Sequence, residues 1–179
     1  MVVDIQTKLV AAMQPDAMQI VIKNVQILLQ AAQSLEISAI ISAQYPQGLG
    51  ATVPALAAFV PANKVISKTA FSCCGEPKFN QQLQRDKPQI VLVGMEAHIC
   101  LLQTALDLTD LTVLKEQISA KQVFVVEDAI ISRDPANKAN AIARMRAAGC
   151  IITNTESVLF EWLGNAEHPA FKALCKLIR

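Results

Sequence analysis

The chain predicts an α/β domain built on a parallel sheet, and three observations carry that expectation. Short apolar runs alternate along the sequence with stretches whose apolar residues recur at helical spacing, the pattern of strands joined by helical crossovers. The run at 89–94, QIVLVG, is apolar without alternation, as strands covered on both faces are. Glycine and proline fall between the runs and not within them, most densely in QYPQGLG with Pro46, Gly48 and Gly50.

Taken in order, residues 1–5 read as a short apolar strand that begins almost at the first residue. An ordinary first strand is longer, so the expectation is an N-terminus that is missing residues or unusually trimmed. A long helix follows over about 16–35, where Ile20, Val21, Val25, Leu28, Leu29 and Ala32 recur at helical spacing and Pro15 stands near the start. ISAIISA at 37–43 is a buried strand, 63–67 a third strand ending at Lys68, and 79–85 a helix after a loop through Gly75 and Pro77. The strand at 89–94 leads to a helix over about 98–110. Residues 111–121 either extend that helix or form a short one of their own. A fifth strand at 122–127, a polar loop through Ser132, Arg133 and Asp134, a helix from Pro135 stopped at Gly149, a sixth strand at 150–153 and helices at 156–163 and 169–178 complete the chain. All six strands are expected in one parallel sheet.

At 179 residues the chain suits a single domain, 1–179, with one core. Hydrophobic residues make up 53% and charged residues 17%, which excludes a disordered chain, and with aromatics at 4% the core must be aliphatic. Sixteen basic and 15 acidic side chains leave a net charge of +1, and the basic residues are scattered, so no footprint for nucleic acid or an anionic membrane is present. No apolar run reaches the length of a membrane span and no signal-peptide pattern opens the chain, which reads as cytoplasmic. Five cysteines, Cys73, Cys74, Cys100, Cys150 and Cys175, without framework spacing argue against a disulfide scaffold, and no C-x-x-C is available for zinc or thioredoxin-like chemistry. The mean hydropathy of +0.35 is high for a small monomer and predicts a homodimer or higher homo-oligomer, with the C-terminal helices and 109–121 as contact surfaces.

Three residues carry the chemistry. Asp4, Lys68 and Cys100 each stand at or just past the end of an apolar strand. Parallel strands deliver such residues to one edge of the sheet, where ligand crevices form. Cys100 falls near the first turn of a helix, where unpaired N–H groups and the dipole favour an anion. With Lys68 beside it, the thiol is expected to have a lowered pKa. Asp4 is placed to take the thiol proton and pass it to a leaving group. Gly48 and Gly50 lack the rest of a phosphate loop, and Gly94 opens no dinucleotide fingerprint, so nucleotide binding is rejected.

The stretches VVDIQTKL, AQYPQGLG, SKTAFS, LVGMEAHICLLQTALDL, VVEDAIISR and AIARMRAAGCIITNTESVLFEWLGNAEHPAFK run in the order found in the isochorismatase-like cysteine hydrolases. The chain resembles that family from Val2 to Lys172, and within it the isochorismatase domain-containing proteins. The resemblance implies a three-layer Rossmann-like sandwich, a sheet of six parallel strands with helices on both faces. It implies Asp4, Lys68 and Cys100 as catalytic residues acting on an amide or related C–N bond of a small molecule through an acyl-enzyme. It also implies a cis peptide between Met95 and Glu96, with the backbone N–H groups of Glu96 and Cys100 as the oxyanion hole. Where nicotinamidases of the family carry Asp and His metal ligands, this chain reads SAQYPQGLG, so no metal or other cofactor is expected and nicotinamide is disfavoured. Isochorismatases proper lack the cysteine, so isochorismate is disfavoured too. TDLTVLKEQISAK is longer than the usual link to the fifth strand and is expected to alter an oligomer surface.

The remaining polar residues have structural expectations. His98 is read as a helix-start residue bonded to a nearby loop, Glu96 as orienting the turn or joining an interface, Asp128 as holding loop N–H groups, Arg133 as pairing with an acid, and His168 as a turn residue. Tyr45 and Phe71 are candidate walls of the substrate pocket, or else cover the core from their loops. Two competing functions keep the fold without hydrolysis: a non-catalytic binding protein, favoured if the short first strand holds Asp4 poorly, and a redox sensor, favoured if Cys73 or Cys74 lies beside Cys100.

Overall fold

The computed structural model describes residues 1–61, 64–83, 87–110 and 121–179. The expected first residue of the third strand at 63, the end of the helix expected over 79–85, and nearly all of the ambiguous 111–121 segment lie outside the described residues. Among the described residues six strands are present: β1 (Val2–Val3), β2 (Ser42–Gln44), β3 (Ile66–Lys68), β4 (Gln89–Met95), β5 (Gln122–Ile131) and β6 (Ile151–Thr153). Every pairing between them is parallel.

The single six-stranded sheet is corrected by the structure. Four strands form one sheet in the order β1-β4-β5-β6, and β2 with β3 forms a separate ladder. The break has a local cause. β1 is two residues long, and Asp4 immediately after it turns out of extended conformation at φ 50°. Between the sheet and the ladder, the described backbone is joined by a bridge between Val2 and Ile41 and by two hydrogen bonds, Val2 N–H to Ile40 O at 2.8 Å and Asp4 N–H to Ser42 O at 3.2 Å. The spatial order through that seam is β3-β2-β1-β4-β5-β6, which reverses direction between β1 and β4. That is the switch point at which open α/β sheets form their crevice. The same shortness displaces β2. A strand over 37–43 was expected, but β1 offers partners only opposite residues 40–42, and the ladder with β3 begins at Ser42.

β5 runs on to Ile131, past the expected end at 127. Its register against β4 jumps, with Leu92 paired to Val125 but Gly94 to Ile130, so a bulge in β5 carries Glu127 and Asp128.

Helices cover both faces. α2 (Pro15–Ser34) opens with Gln14 accepting the Ala17 N–H and with Pro15 in its first turn, and buries Val21, Val25, Leu28 and Leu29. With α8 (Thr155–Leu163) it packs on the face formed by Val2, Val93, Met95 and Val126. On the other face α5 (Pro77–Gln82), α6 (Leu102–Thr109) and α7 (Pro135–Ala147) pack on Val3, Leu92, Val123 and Val125. Neighbours along β1 and β4 go to opposite faces, the period of two that a sheet buried on both sides imposes. Short helices α1 (Thr7–Val10), α3 (Pro46–Leu49) and α4 (Pro54–Ala57) follow β1 and β2. The helix expected over 169–178 shrinks to α9 (Phe171–Leu174), flanked by turns. Among the described residues, no helix is long and apolar enough to cross a membrane.

Candidate active site

Four strand ends build the site. β1 delivers Asp4, β2 ends at Gln44, β3 ends at Lys68, and β4 runs through the cis peptide Met95–Glu96 into a π-helical turn, Ala97–Leu101, that carries Cys100. Gly94, at φ 125°, lets β4 approach β1 at this point. A side chain there would collide with the backbone carbonyl of Val3. Asp4 (φ 50°), directly after β1, and Tyr45 (φ 36°), directly after β2, leave their strands in the left-handed region. Such conformations are costly for residues with a side chain and persist where the surroundings hold them.

Asp4 and Lys68 form an ion pair at 2.7 Å with both side chains fully buried. An isolated charge buried this deeply costs several kcal/mol, roughly, so each requires the other. The ammonium has three hydrogens. Asp4 Oδ2 at 2.7 Å, Gln44 Oε1 at 2.6 Å and Phe71 O at 2.9 Å take them, with Ala70 O further off at 3.3 Å. The other Asp4 oxygen, Oδ1, accepts the Ser42 hydroxyl at 2.8 Å. Asp4 is therefore firmly held despite its short strand, and the premise of the binding-protein reading is not met. Gln44 and Lys68 are direct register partners across β2 and β3, which is why their side chains meet.

Cys100 is buried, and its thiol faces Gln44 Oε1 at 3.8 Å. The expected direction of its titration is corrected. Burial pushes the thiol up to about 12, and the Asp4 carboxylate adds to the rise, while Lys68 opposes it. The physical reason is that Lys68 does not act alone. Paired with Asp4 it makes a unit of no net charge, so desolvation of the thiolate prevails. The resting site holds a thiol beside a carboxylate.

Around this centre the expectations divide. Tyr45 and Phe71 reach Lys68 through their backbones, Tyr45 N–H donating to Lys68 O at 2.8 Å and Phe71 O accepting from the ammonium. Their side chains are exposed at the rim, and the Tyr45 ring lies against Gly48. Glu96 is buried and accepts both Arg133 N–H at 3.0 Å and Arg133 Nε at 3.1 Å, tying the turn that carries Cys100 to the end of β5. His98 Nδ1 bonds Ser132 Oγ at 2.9 Å. Asp128 Oδ1 accepts Thr155 N–H and its hydroxyl, at 2.8 and 2.9 Å, from the bulge of β5 and not from a strand end. His168 Nδ1 accepts Ala170 N–H within a turn.

Gln44, Ser42 and Thr104 were not foreseen. Ser42 joins Asp4 to Cys73, whose Sγ lies 3.5 Å from Ser42 Oγ. Thr104 Oγ1 accepts Cys73 N–H at 3.0 Å and donates to Cys100 O at 2.6 Å. The available signal was Ser42 and Gln44 two apart at the end of an apolar strand, hence on one face and buried. Gln6 belongs to the same frame, bonding both the N–H and the carbonyl of Gln44. Among the described residues no group of three or more His, Cys, Asp or Glu side chains is gathered to hold a metal ion.

Comparison with known proteins agrees with this architecture. The isochorismatase domain family matches residues 1–157. An isochorismatase domain-containing protein 2 from Xenopus laevis is 42% identical over 153 residues, spanning 84% of this chain and 69% of that protein. A structure described as MAR1 ribonuclease from Caenorhabditis elegans superposes with a TM-score of 0.86 at 36% identity, covering 99% of this chain and 86% of its own. YcaC from Pseudomonas aeruginosa, determined with hexane-2,5-diol and covalent acrylamide, has a TM-score of 0.77 at 26% identity, covering 99% and 90%.

Proposed function

This chain belongs to the isochorismatase family, and we propose that it is a cysteine hydrolase that cleaves a small amide or related C–N bond. The observation that carries the reading is the convergence of a buried Asp4–Lys68 ion pair, at 2.7 Å, and the buried Cys100 thiol on the one carbonyl oxygen of Gln44, 2.6 Å from the Lys68 ammonium and 3.8 Å from Cys100 Sγ. Asp4 accepts the thiol proton as sulfur attacks the carbonyl carbon. The π electrons move onto oxygen, where the backbone N–H groups of Glu96 and Cys100 would receive the charge. When the oxyanion collapses, the C–N bond breaks, its electron pair stays on nitrogen, and Asp4 returns the proton there. Water, deprotonated by Asp4, then cleaves the thioester and restores the thiol. Lys68 has its hydrogens taken by fixed acceptors, so its part is to hold Asp4 in place and balance its charge.

Because Cys100 rests as a thiol, attack is coupled to proton transfer and depends on bound substrate, which keeps the resting site inert. The covalent acrylamide on YcaC supports an electrophile-reactive site in the family. The C. elegans relative is described as a ribonuclease, but a net charge of +1 with scattered basic residues favours a small neutral substrate for this chain. Exposed Phe160 on α8, with the high mean hydropathy, supports a homo-oligomer that uses the C-terminal helices. Sedimentation giving a strict monomer at micromolar concentration would remove that part.

The test of function is a panel of small amides followed by intact-mass measurement. An acyl adduct on Cys100, and turnover abolished by Cys100→Ala, are expected. Turnover that survives Cys100→Ala, or RNA cleavage with no amide turnover, would overturn the reading.

A further inference from the structure

One lone pair of Gln44 is held against the candidate nucleophile by the rest of the fold. The Gln44 backbone is clamped on both sides by the Gln6 carboxamide, at 2.7 and 3.0 Å, and Gln44 Nε2 donates to Thr69 O at 2.7 Å. Lys68, which only donates, sits 2.6 Å from Oε1, so the oxygen and not the nitrogen must face the site. That oxygen has two lone pairs. One takes Lys68 and the other faces Cys100 Sγ at 3.8 Å.

We propose that Gln44 is the specificity-determining residue of the site, selecting substrates whose leaving atom carries N–H, primary carboxamides above all. This rests on the cysteine-hydrolase reading. Once Asp4 has the thiol proton and sulfur is bonded to carbon, the thiol no longer donates to Oε1. The lone pair that faced the thiol then needs a new donor or is left buried without one, while the other keeps Lys68. A leaving nitrogen supplies one, giving N–H to Oε1 while its lone pair receives the proton from Asp4. An ester oxygen can take the proton of Asp4 on one lone pair but has no hydrogen to give, and it sets its other lone pair against the Gln44 carbonyl. Lys68 offers no relief, because Asp4, Gln44 and Phe71 already take its three hydrogens.

The test compares p-nitroacetanilide with p-nitrophenyl acetate, which share an acyl group and differ in N–H against O at the leaving atom. In Gln44→Met, similar in length but without the acceptor, the anilide-to-ester ratio of kcat/KM should fall about 10- to 100-fold, and Gln44→Glu, which keeps an acceptor, should hold it. Equal loss on both substrates in Gln44→Met would overturn the proposal and leave Gln44 as a support for Lys68. Turnover of neither substrate by the wild type, or turnover that persists in Cys100→Ala, would bring down the cysteine-hydrolase reading itself. A measurement on the wild type avoids any folding defect. The acetyl-enzyme formed from the ester should be captured by ammonia over methanol about tenfold beyond their ratio toward a free thioester. Capture at the solution ratio would contradict the proposal.

Discussion

At the carboxyl end of the sheet Asp4, Gln6, Ser42, Gln44 and Lys68 are buried, polar and closely bonded to one another, with Cys100 beside them. At the amino end Val25, Leu28, Leu29, Ile40, Val91 and Trp162 help to enclose a cavity of about 450 Å³. A large apolar cavity is the usual first guess for a ligand site. Here the converging acid, cation and thiol lie at the other end, where the polar side chains are closely bonded to one another. One end is lined largely by aliphatic side chains, while order at the other comes from hydrogen bonds and one buried ion pair. The two ends should therefore respond to substitution in different quantities, rate at one and stability at the other.

The largest separation is expected from Cys100→Ser. It should lower turnover about a thousandfold or more while shifting the melting temperature by no more than a few degrees, read by steady-state kinetics and calorimetry on one preparation. Lys68→Met blurs the contrast, because the carboxylate of Asp4 loses its partner in a fully buried position. Denaturant unfolding should show a loss of roughly 3–5 kcal/mol, and the Cys100 thiol should titrate still higher. Leu28→Ala at the amino end should cost about 2–5 kcal/mol, towards the lower figure because a cavity already adjoins it, with kcat unchanged. A fall in kcat matching the one in Lys68→Met would show that the ends are not independent. Arg133→Ala is the mildest. Its side chain is 60% exposed, so loss of the Glu96 pair should cost under about 1 kcal/mol, and less at high salt.

Asp4, Lys68 and Cys100 were legible because each interrupts or ends an apolar run, and parallel strands bring such ends together whatever the details of the loops. Glu96, His98 and Arg133 were legible as structural residues for a similar reason, since charged groups beside a tight turn find partners in it. Gln44 escaped because its importance lies in the orientation of one carbonyl, which depends on Gln6, Thr69 and Lys68 from three other segments. The direction of the Cys100 titration escaped because sequence shows the nearby lysine and the helix start but neither the depth of burial nor the neutralising contact between Lys68 and Asp4. The seam between β1 and β2 reflects a pairing distance along the chain: residues 37–39 are apolar enough for a strand, but β1 bonds the chain at residues 40–42.

The account turns on Cys100 resting as a thiol, pushed up by burial and by the charge of Asp4, and the pH dependence of its alkylation tests that most directly. Iodoacetamide labelling of Cys100 and of Cys175, a less buried thiol, would be followed by mass spectrometry in the wild type and in Asp4→Asn. The prediction is that Cys100 labels more slowly than Cys175 at neutral pH and that its rate is still rising above about pH 9, past the ordinary thiol value of about 8.5. In Asp4→Asn the carboxylate's contribution is gone and Lys68 is unopposed, so the Cys100 midpoint should move down even as turnover is lost. A wild-type midpoint at or below about 8.5, or a midpoint that rises in Asp4→Asn, would contradict the account.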